Sequence, residues 1–272
     1  MIKTTFGLTQ QPFCREKPAL LPQQAEIIDM LKVHAQHGGF SVIVGQPGVG
    51  KSVIREHIES WRGRETLVAA MTQTLHTYMP MLKQLALSVE LEASVNKLEA
   101  ELIKLMYQQA QQQKTLYTVI DEAHLLDLTV LRKLRLLFER FPKKHNLILL
   151  GQEELLYRLS LNCHADIKSR ISYSTRLLPL NDDALQDFIL KELSTVELGA
   201  NVFDKAALAI ILRSVSGNLR LCCTLCYGSL LAACRDNQRL VTPQHVNAVL
   251  VQPHWRSHEA LIKQQTQEED AA

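Results

Sequence analysis

A glycine-bearing loop near the N-terminus carries the residue types that bind a phosphate chain. Residues 45–52 read GQPGVGKS and match the pattern G-x-x-x-x-G-K-[ST], between a predicted strand at 40–44 and a predicted helix at 53–61. Glycine lets backbone N–H groups turn toward an anion, and the start of a helix adds positive potential. The predicted nucleotide-binding residues are Gly45, Gln46, Pro47, Gly48, Val49, Gly50, Lys51, Ser52 and Val53.

Two side chains of this loop have separate expected roles. Lys51 is placed to reach the β- and γ-phosphates of a nucleotide, which makes it a predicted catalytic residue as well. Ser52 is placed to bind Mg²⁺ through its hydroxyl, since this ion takes oxygen ligands and keeps several waters. The loop therefore predicts ATP and Mg²⁺ as the cofactors.

A pair of carboxylates supplies the second half of a hydrolysis site. Asp121 and Glu122 follow the apolar run 116–120 (LYTVI), which predicts a strand. We expect Asp121 to hold Mg²⁺, usually through water, and Glu122 to orient and deprotonate the water that attacks the γ-phosphate. An apolar strand ending in two acidic residues is common by itself; together with Lys51, it indicates nucleotide hydrolysis.

Three further polar residues are candidates for sensing or stabilising the phosphates. Gln152 follows the apolar run 147–151 and is a candidate sensor, with an ordinary strand-ending glutamine as the alternative. Arg170 is the preferred arginine supplied in trans to a neighbouring subunit's nucleotide, with Arg158 and Arg176 as competitors and a surface ion pair as the other interpretation. Arg220 follows the turn 216–219 (SGNL) and is a candidate bridge from a helical lid to phosphate.

The elements around these residues alternate between strands and helices in the first two thirds of the chain. This alternation predicts an α/β fold with a parallel sheet covered on both faces. Beyond Pro179 the pattern is helical throughout. The predicted strands are 40–44, 66–71, 116–121 and 147–151; the predicted helices are 23–36, 53–61, 79–87, 91–113, 128–141, 183–193, 204–215, 219–235 and 243–251.

The chain divides by these patterns into four stretches. Residues 1–39 form an N-terminal segment and helix expected to contribute to the nucleotide pocket, and 40–178 form the α/β core. Residues 179–251 form a small helical lid. The polar stretch 252–272 is a tail, which is either frayed or docks a partner.

Composition excludes several classes of protein. The 272 residues are 46% hydrophobic and 21% charged, which excludes a disordered chain. The formal net charge is only +2, so a polyanion could bind only at a local patch of positive charge. No stretch approaches the roughly 18 apolar residues of a membrane span, so we interpret the protein as cytoplasmic. Cys222, Cys223 and Cys226 lie in a predicted helix and are interpreted as reduced apolar thiols rather than zinc ligands.

The order of the motifs over residues 1–251 resembles the AAA+ ATPases, in a three-layer P-loop fold with a helical lid. Within them FGLTQQPF, IDEAHLL and LILLGQEEL look like the ExeA-like group, which includes secretion-associated and TnsC/TniB-type transposition ATPases. The resemblance implies ATP-dependent rings or helical filaments with nucleotide between subunits. It also implies that residues 6–13, with Phe13, line the adenine pocket. Gln152 departs from the residues many relatives use at that position, so hydrolysis is expected to be slow.

A separate basic segment suggests binding to duplex DNA. In residues 131–145, apolar side chains recur at helical spacing, which leaves much of the positive charge on the other face. The alternatives are a solvated helix face and sequence-tolerant contact with phosphates in the bore of an oligomer. Lys97 and Lys104 are secondary candidates. The basic residues of the segment are Arg132, Lys133, Arg135, Arg140, Lys143 and Lys144.

Two functions follow from the resemblance. The first is a DNA-binding regulator of transposition that oligomerises on duplex DNA with ATP, recruits or activates a transposase, and disassembles on hydrolysis. Because secretion-type relatives often continue into a membrane segment whereas this chain stops soon after its lid, the first function is favoured. The alternative is an ExeA-like accessory ATPase of secretion or pilus biogenesis that acts on a protein complex.

Overall fold

The computed structural model describes residues 1–14, 19–71, 77–161 and 165–255. Most of the sequence-predicted tail, residues 256–272, therefore lies outside the described residues. The chain forms two compact units, Lys17–Leu178 and a second one that joins Met1–Glu16 to Pro179–Ala272. This division differs from the sequence-based one at the N-terminus, because residues 1–39 are split between the two units. The predicted α/β class with a parallel sheet is confirmed.

The larger unit is built on a five-stranded parallel sheet. The strands are β1 (Gly39–Gly45), β2 (Thr66–Met71), β3 (Thr115–Ile120), β4 (His145–Gly151) and β5 (Tyr173–Leu177), in the spatial order β2-β3-β4-β1-β5. β4 thus lies between β1 and β3. Every residue of β4 is buried, and so is every residue of β1 after its first. Such strands are covered on both faces, which explains their uninterrupted apolar runs.

Helices cover the sheet on both faces. Together with the smaller unit, the helices in chain order are α1 (Ile2–Phe6), α2 (Pro22–Ala35), α3 (Lys51–Glu59), α4 (Tyr78–Ser88), α5 (Leu98–Gln111), α6 (Leu128–Glu139), α7 (Glu153–Ser160), α8 (Ala165–Lys168), α9 (Asp182–Ser194), α10 (Lys205–Val215), α11 (Leu219–Arg235) and α12 (Pro243–Leu250). α2 and α3 pack on one face of the sheet, where Ile43, Val119 and Ile148 point. α4, α5, α6 and α7 pack on the other, against Val42, Ile120 and Leu149. This three-layer arrangement is the expected one.

Some elements differ from the sequence-based expectation. The helix predicted at 91–113 spans only Leu98–Gln111. Glu90, with φ 57°, lies in the turn that follows α4. Helix α7 and strand β5 were not predicted. β5 is an edge strand in which half-buried and exposed residues alternate and Leu177 alone is buried, so it lacks the continuous apolar run of a central strand.

One polar pair is enclosed between two central strands. Thr118 on β3 and His145 on β4 are hydrogen-bonded, with 2.8 Å between Oγ1 and Nε2, and the His145 ring stacks on Phe138 of α6. Burial lowers the pKa of His145 to about 3, so the ring is neutral at physiological pH. A neutral ring with a hydroxyl partner is tolerated in a core where a charged one would not be.

The smaller unit is helical, with α1 packed on α11, and its helices begin at recognisable caps. The Asn181 side chain accepts from the Ala184 N–H at the start of α9, and Asn218 accepts from the Leu221 N–H at the start of α11. These bonds satisfy backbone donors that a helix start leaves free. Before α11 the chain turns at Gly217, with φ 78°, where an added Cβ would lie 2.2 Å from the Leu180 carbonyl oxygen.

Candidate functional site

The carboxyl ends of β1, β3 and β4 meet at one edge of the sheet. Val44 of β1 pairs with Gly151 of β4, and Ile120 of β3 pairs with Leu149 of the same strand. The residues that follow these strands are the phosphate loop, the acidic pair Asp121 and Glu122, and Gln152. Because β4 is central, its end lies between the other two. Parallel α/β sheets commonly bind ligands at this edge.

The phosphate loop has the backbone that its glycines allow. Gly48 and Gly50 have φ of 84° and 104°, values that side-chain-bearing residues rarely adopt. At Gly45 an added Cβ would lie 2.6 Å from the Leu177 carbonyl oxygen, so the end of β5 also requires glycine there. Val49 is buried in the core beneath α3. The loop is thus anchored to the hydrophobic core on one side, and its other side faces the carboxyl edge of the sheet.

Lys51 opens helix α3, and its amine lies within the loop. Its Nζ donates to the carbonyl oxygens of Gly45 at 2.8 Å and Gln46 at 2.9 Å, and the residue is only 6% exposed. Ser52 follows as the second residue of the same helix. The amine is therefore held in place at the N-terminal end of α3, where the helix dipole also favours an anion.

Sequence reasoning missed a residue that fixes the loop from helix α2. Gln24 is 1% exposed; its side-chain amide donates to the Gly50 carbonyl oxygen at 3.2 Å and accepts from the Leu21 N–H at 2.9 Å. It therefore ties the start of α2 to the last glycine of the loop. A polar residue in the first turn of a predicted helix is normally read as solvent-exposed, so the pattern gave no reason to single it out.

Asp121 carries an ion pair that sequence reasoning also missed. Arg55 of α3 places its Nε 3.2 Å from Asp121 Oδ2, and the other carboxylate oxygen accepts from the Glu122 N–H at 2.8 Å. The two side chains are 14% and 8% exposed. Arg55 also pairs with Glu59 at 3.0 Å. It lies four positions after Lys51, on the same face of α3, and this spacing is the signal that could have identified it.

Glu122 and Gln152 are linked through a third residue. Glu122 adopts a left-handed conformation with φ 51°, and its Oε2 lies 3.6 Å from Nδ1 of His124. The amide nitrogen of Gln152 lies 2.9 Å from the other ring nitrogen of His124. Left-handed non-glycine residues are uncommon, and in this chain they occur at turns such as Glu90 and Ser216 as well as at Glu122.

The three candidate arginines differ in how they are used. Arg158 donates to the carbonyl oxygens of His124 at 2.5 Å and Leu126 at 2.7 Å, which commits its guanidinium to the chain's own backbone. Arg170 is 59% exposed and pairs with Glu139 at 3.2 Å. Arg176 is exposed on β5. Of the three, Arg158 is the least available to a neighbouring subunit.

The arginines of the basic segment 131–145 are paired with acidic residues of the same chain, whereas the segment keeps an excess of positive charge. Arg135 pairs with Glu139 at 2.9 Å and Asp166 at 3.6 Å, and Arg140 pairs with Glu99 at 2.6 Å. The Nζ of Lys133 lies 5.7 Å from the ring centroid of Tyr78. Leu131, Leu134, Phe138 and Phe141 are buried as predicted. Exposed basic residues remain in Lys143, Lys144, Lys97 and Lys104, the last pairing with Glu101 at 3.5 Å.

Two predicted nucleotide-binding residues belong to the smaller unit. Phe13 is buried there and has φ 60°. Arg220 is exposed in the first turn of α11. Their contacts with nucleotide stay predictions. In the same unit Cys222, Cys226 and Cys234 are buried and free, and the described residues hold no group of three metal-ligating side chains.

The residues at the edge of the sheet fit Mg²⁺ and a nucleoside triphosphate. The loop provides glycines in left-handed conformations, a helix start and the amine of Lys51. The Ser52 hydroxyl and the Asp121 carboxylate are oxygen donors of the type Mg²⁺ takes. Glu122 and Gln152 supply a carboxylate and an amide for a reacting water.

Comparisons with known proteins agree with this fold. Residues 33–159 match the AAA domain family. Among solved structures, Cdc6p from Pyrobaculum aerophilum aligns with a TM-score of 0.70 and 19% identity over 92% of this chain and 73% of that one. The ORC2 protein of Aeropyrum pernix aligns with a TM-score of 0.66 and 14% identity over 90% of this chain and 70% of that one. Drosophila ORC bound to DNA aligns with a TM-score of 0.66 and 18% identity over 96% of this chain and 67% of that one. The fold and the phosphate loop define the class: the chain has the fold of the AAA+ P-loop ATPases.

A curated relative narrows the class. General secretion pathway protein A from Aeromonas hydrophila is 27% identical over 250 residues, which cover 87% of this chain and 46% of the relative. The chain thus spans about half the length of the protein it matches. The recognition of an ExeA-like AAA+ protein from its motifs is confirmed. Within the described residues, no helix combines the length and the apolar character that crossing a membrane requires.

Proposed function

We propose that the protein is a Mg²⁺-dependent ATPase whose site is the edge formed by β1, β4 and β3. The observation that carries the proposal is that one edge brings together the amine of Lys51, the acidic pair and Gln152. Lys51 and the loop N–H groups bind the β- and γ-phosphates. Ser52 and Asp121 hold Mg²⁺, which neutralises charge on the phosphates when it is bound.

Glu122 is the proposed general base. Its carboxylate, 44% exposed, orients the attacking water and accepts its proton, while Gln152 positions that water or senses the γ-phosphate. Because Gln152 differs from the residues that many relatives of the resembled family use at this position, we expect turnover to be slow.

Assembly of subunits is the proposed output of ATP binding. Arg170 of one subunit completes the site of the next, which makes the triphosphate-bound form the one that favours association. The exposure of Arg170 supports this role, whereas the Arg158 guanidinium is already hydrogen-bonded to backbone carbonyl oxygens. Head-to-tail contacts of this type build rings or helical filaments. Arg220 is proposed to reach phosphate from the helical unit, and Phe13 to contact the adenine.

The first candidate for the biological role is a DNA-bound regulator of transposition that recruits or activates a transposase. Its support is the resemblance to transposition ATPases and the exposed Lys143, Lys144 and Lys97. Drosophila ORC, which shares the fold, is described in its DNA-bound form. Because most arginines of the segment 131–145 are paired within the chain, we expect phosphate contacts to be few and the salt dependence of binding modest.

The second candidate is an accessory ATPase of secretion or pilus biogenesis acting on a protein complex. The observation that favours it is the 27% identity to General secretion pathway protein A. The pairing of arginines of the segment 131–145 within the chain also fits a protein whose partner is not a polyanion. In this case the ATP site and its residues are unchanged.

A sedimentation assay with duplex DNA and a non-hydrolysable ATP analogue separates the candidates. For the DNA-bound regulator, the protein sediments with DNA only when the analogue is present, and added salt releases it. Lys51→Ala abolishes this, and Glu122→Gln with ATP prolongs the lifetime of the assembly. Assembly that is the same with and without duplex DNA supports the secretion role. Wild-type protein that neither hydrolyses ATP nor self-associates with it would refute the proposed ATPase.

A further inference from the structure

His124 lies between the two residues that are expected to act on the attacking water. Its side chain is 6% exposed and belongs to the turn that follows β3. One ring nitrogen, Nε2, lies 2.9 Å from the amide nitrogen of Gln152. The other, Nδ1, lies 3.6 Å from Glu122 Oε2 and is buried without a hydrogen-bond partner. A buried polar atom in this state calls for an explanation.

The atoms that face the ring determine where its proton is. An amide nitrogen only donates, so Nε2 of His124 accepts from Gln152 and carries no hydrogen. In the neutral ring the hydrogen must then be on Nδ1, which faces the Glu122 carboxylate. At 3.6 Å this N–H attracts the carboxylate but is too distant for a full hydrogen bond. Glu122 is therefore oriented without being locked.

The backbone around the ring is held by contacts from two sides, from helix α7 and from the end of β4. Arg158 donates to the carbonyl oxygens of His124 and Leu126. On the other side, an added Cβ on Gly151 would lie 3.2 Å from the His124 backbone nitrogen, which shows how closely the end of β4 approaches. The turn is thus fixed to α7 and β4 together.

We propose that His124 is a positioning residue that couples Gln152 to Glu122. This inference rests on the proposed ATPase and assigns a role within its site. The hydrogen bond from Gln152 orients the His124 ring so that the ring Nδ1–H faces Glu122. The ring then orients the Glu122 carboxylate toward the same water that Gln152 contacts. Glu122 and Gln152 therefore act together. A change in the position of the Gln152 amide alters the position of the Glu122 carboxylate through the His124 ring.

Isosteric variants test the two halves of the link. His124→Asn keeps a donor near Glu122 but loses the contact with Gln152, and His124→Gln does the reverse. We expect either change to lower kcat about tenfold or more, because general-base positioning is impaired. ATP affinity stays within about twofold, since His124 makes no proposed contact with the nucleotide. The exposed His37→Asn is the matched control and keeps wild-type kcat.

The tautomer provides a readout that does not depend on hydrolysis. In ¹⁵N-histidine spectra of the nucleotide-free protein, the signal lost in His124→Asn is expected to show the Nδ1–H tautomer. Gln152→Glu, which offers only acceptors, is expected to move that signal to a ring with a hydrogen on Nε2. An Nε2–H signal in the wild type, or variants with unchanged kcat, overturns the coupling. Absent turnover in the wild type refutes the ATPase instead, and the spectrum still decides the contact.

Discussion

At the scale of single residues, Arg55 shows how the site is held together without a metal ion. Asp121 is the expected Mg²⁺ ligand, and both of its oxygens already have partners in the Arg55 guanidinium and the Glu122 N–H. A nearly buried carboxylate needs such compensation, because desolvation penalises its charge. Arg55 therefore holds the Asp121 carboxylate in its orientation, and a divalent ion has to share the carboxylate with it.

Arg55→Met should make the stability of the protein depend on Mg²⁺. Removing one partner of a fully buried pair costs about 3–5 kcal/mol, and at 14% and 8% exposure we expect about 1–3 kcal/mol. Mg²⁺ with ATP then restores more stability in the variant than it adds to the wild type, since the ion compensates Asp121. Thermal unfolding in the presence of a chelator measures the loss of stability. Thermal unfolding with Mg²⁺ and ATP measures how much stability is restored. Lys32→Met removes an ion pair whose side chains are 54% and 76% exposed and serves as the control. Equal Mg²⁺-dependent shifts in wild type and Arg55→Met would contradict the assignment.

At the scale of elements, the turn between α10 and α11 depends on one glycine. Ser216 and Gly217 both have positive φ, 45° and 78°, which lets the chain reverse and begin α11 at its Asn218 cap. Gly217 also approaches Leu180 closely, and its carbonyl accepts from the Leu180 N–H at 3.1 Å. The turn thereby fixes α11 against the first residues of its own unit.

Gly217→Ala should destabilise this helical unit by about 2 kcal/mol or more. The new Cβ would lie 2.2 Å from the Leu180 carbonyl oxygen, and the backbone would keep a left-handed conformation that alanine disfavours. Hydrogen exchange of the α10 and α11 amides reports on the unit directly. Gly199→Ala is the matched control, because φ there is −67° and an added Cβ meets nothing within 4 Å. Comparable exchange in both variants would rule out the packing argument.

The elements also show what a sequence reveals and what it does not. The central strands β1, β3 and β4 were predictable, because burial on both faces demands unbroken apolar runs. Edge strand β5 was not, since its half-exposed residues alternate. The loop and the acidic pair follow from local spacing. The contacts of Gln24 and Arg55 do not, because they depend on which helix packs beside which strand end.

At the scale of the whole molecule, the proposed site is complete only between subunits. In the proposed assembly, Lys51 and Glu122 act in the subunit that holds ATP, and Arg170 acts from its neighbour. Within one subunit Arg170 pairs with Glu139, an ion pair exposed enough to be exchanged at little cost for a phosphate. Under this proposal, assembly exchanges a weak internal pair for a stronger contact with the triphosphate, which would couple ATP binding to association.

Mixing two inactive variants tests this division of labour. Lys51→Ala lacks the ATP-holding half of the site, and Arg170→Ala lacks the half given to the neighbour, so each alone should hydrolyse almost no ATP. In an equimolar mixture with random head-to-tail contacts, about a quarter of the sites join an intact Lys51 to an intact Arg170, and turnover should return to about that fraction. Phosphate release measures it. Lys51→Ala mixed with Glu122→Gln is the control: both defects fall in the same half, so no pairing of subunits gives a complete site. Recovery in that control would place Lys51 and Glu122 in different subunits and contradict the proposed division. Full turnover by Arg170→Ala alone would assign the trans residue elsewhere, with Arg176 the next arginine to replace because it is exposed on β5.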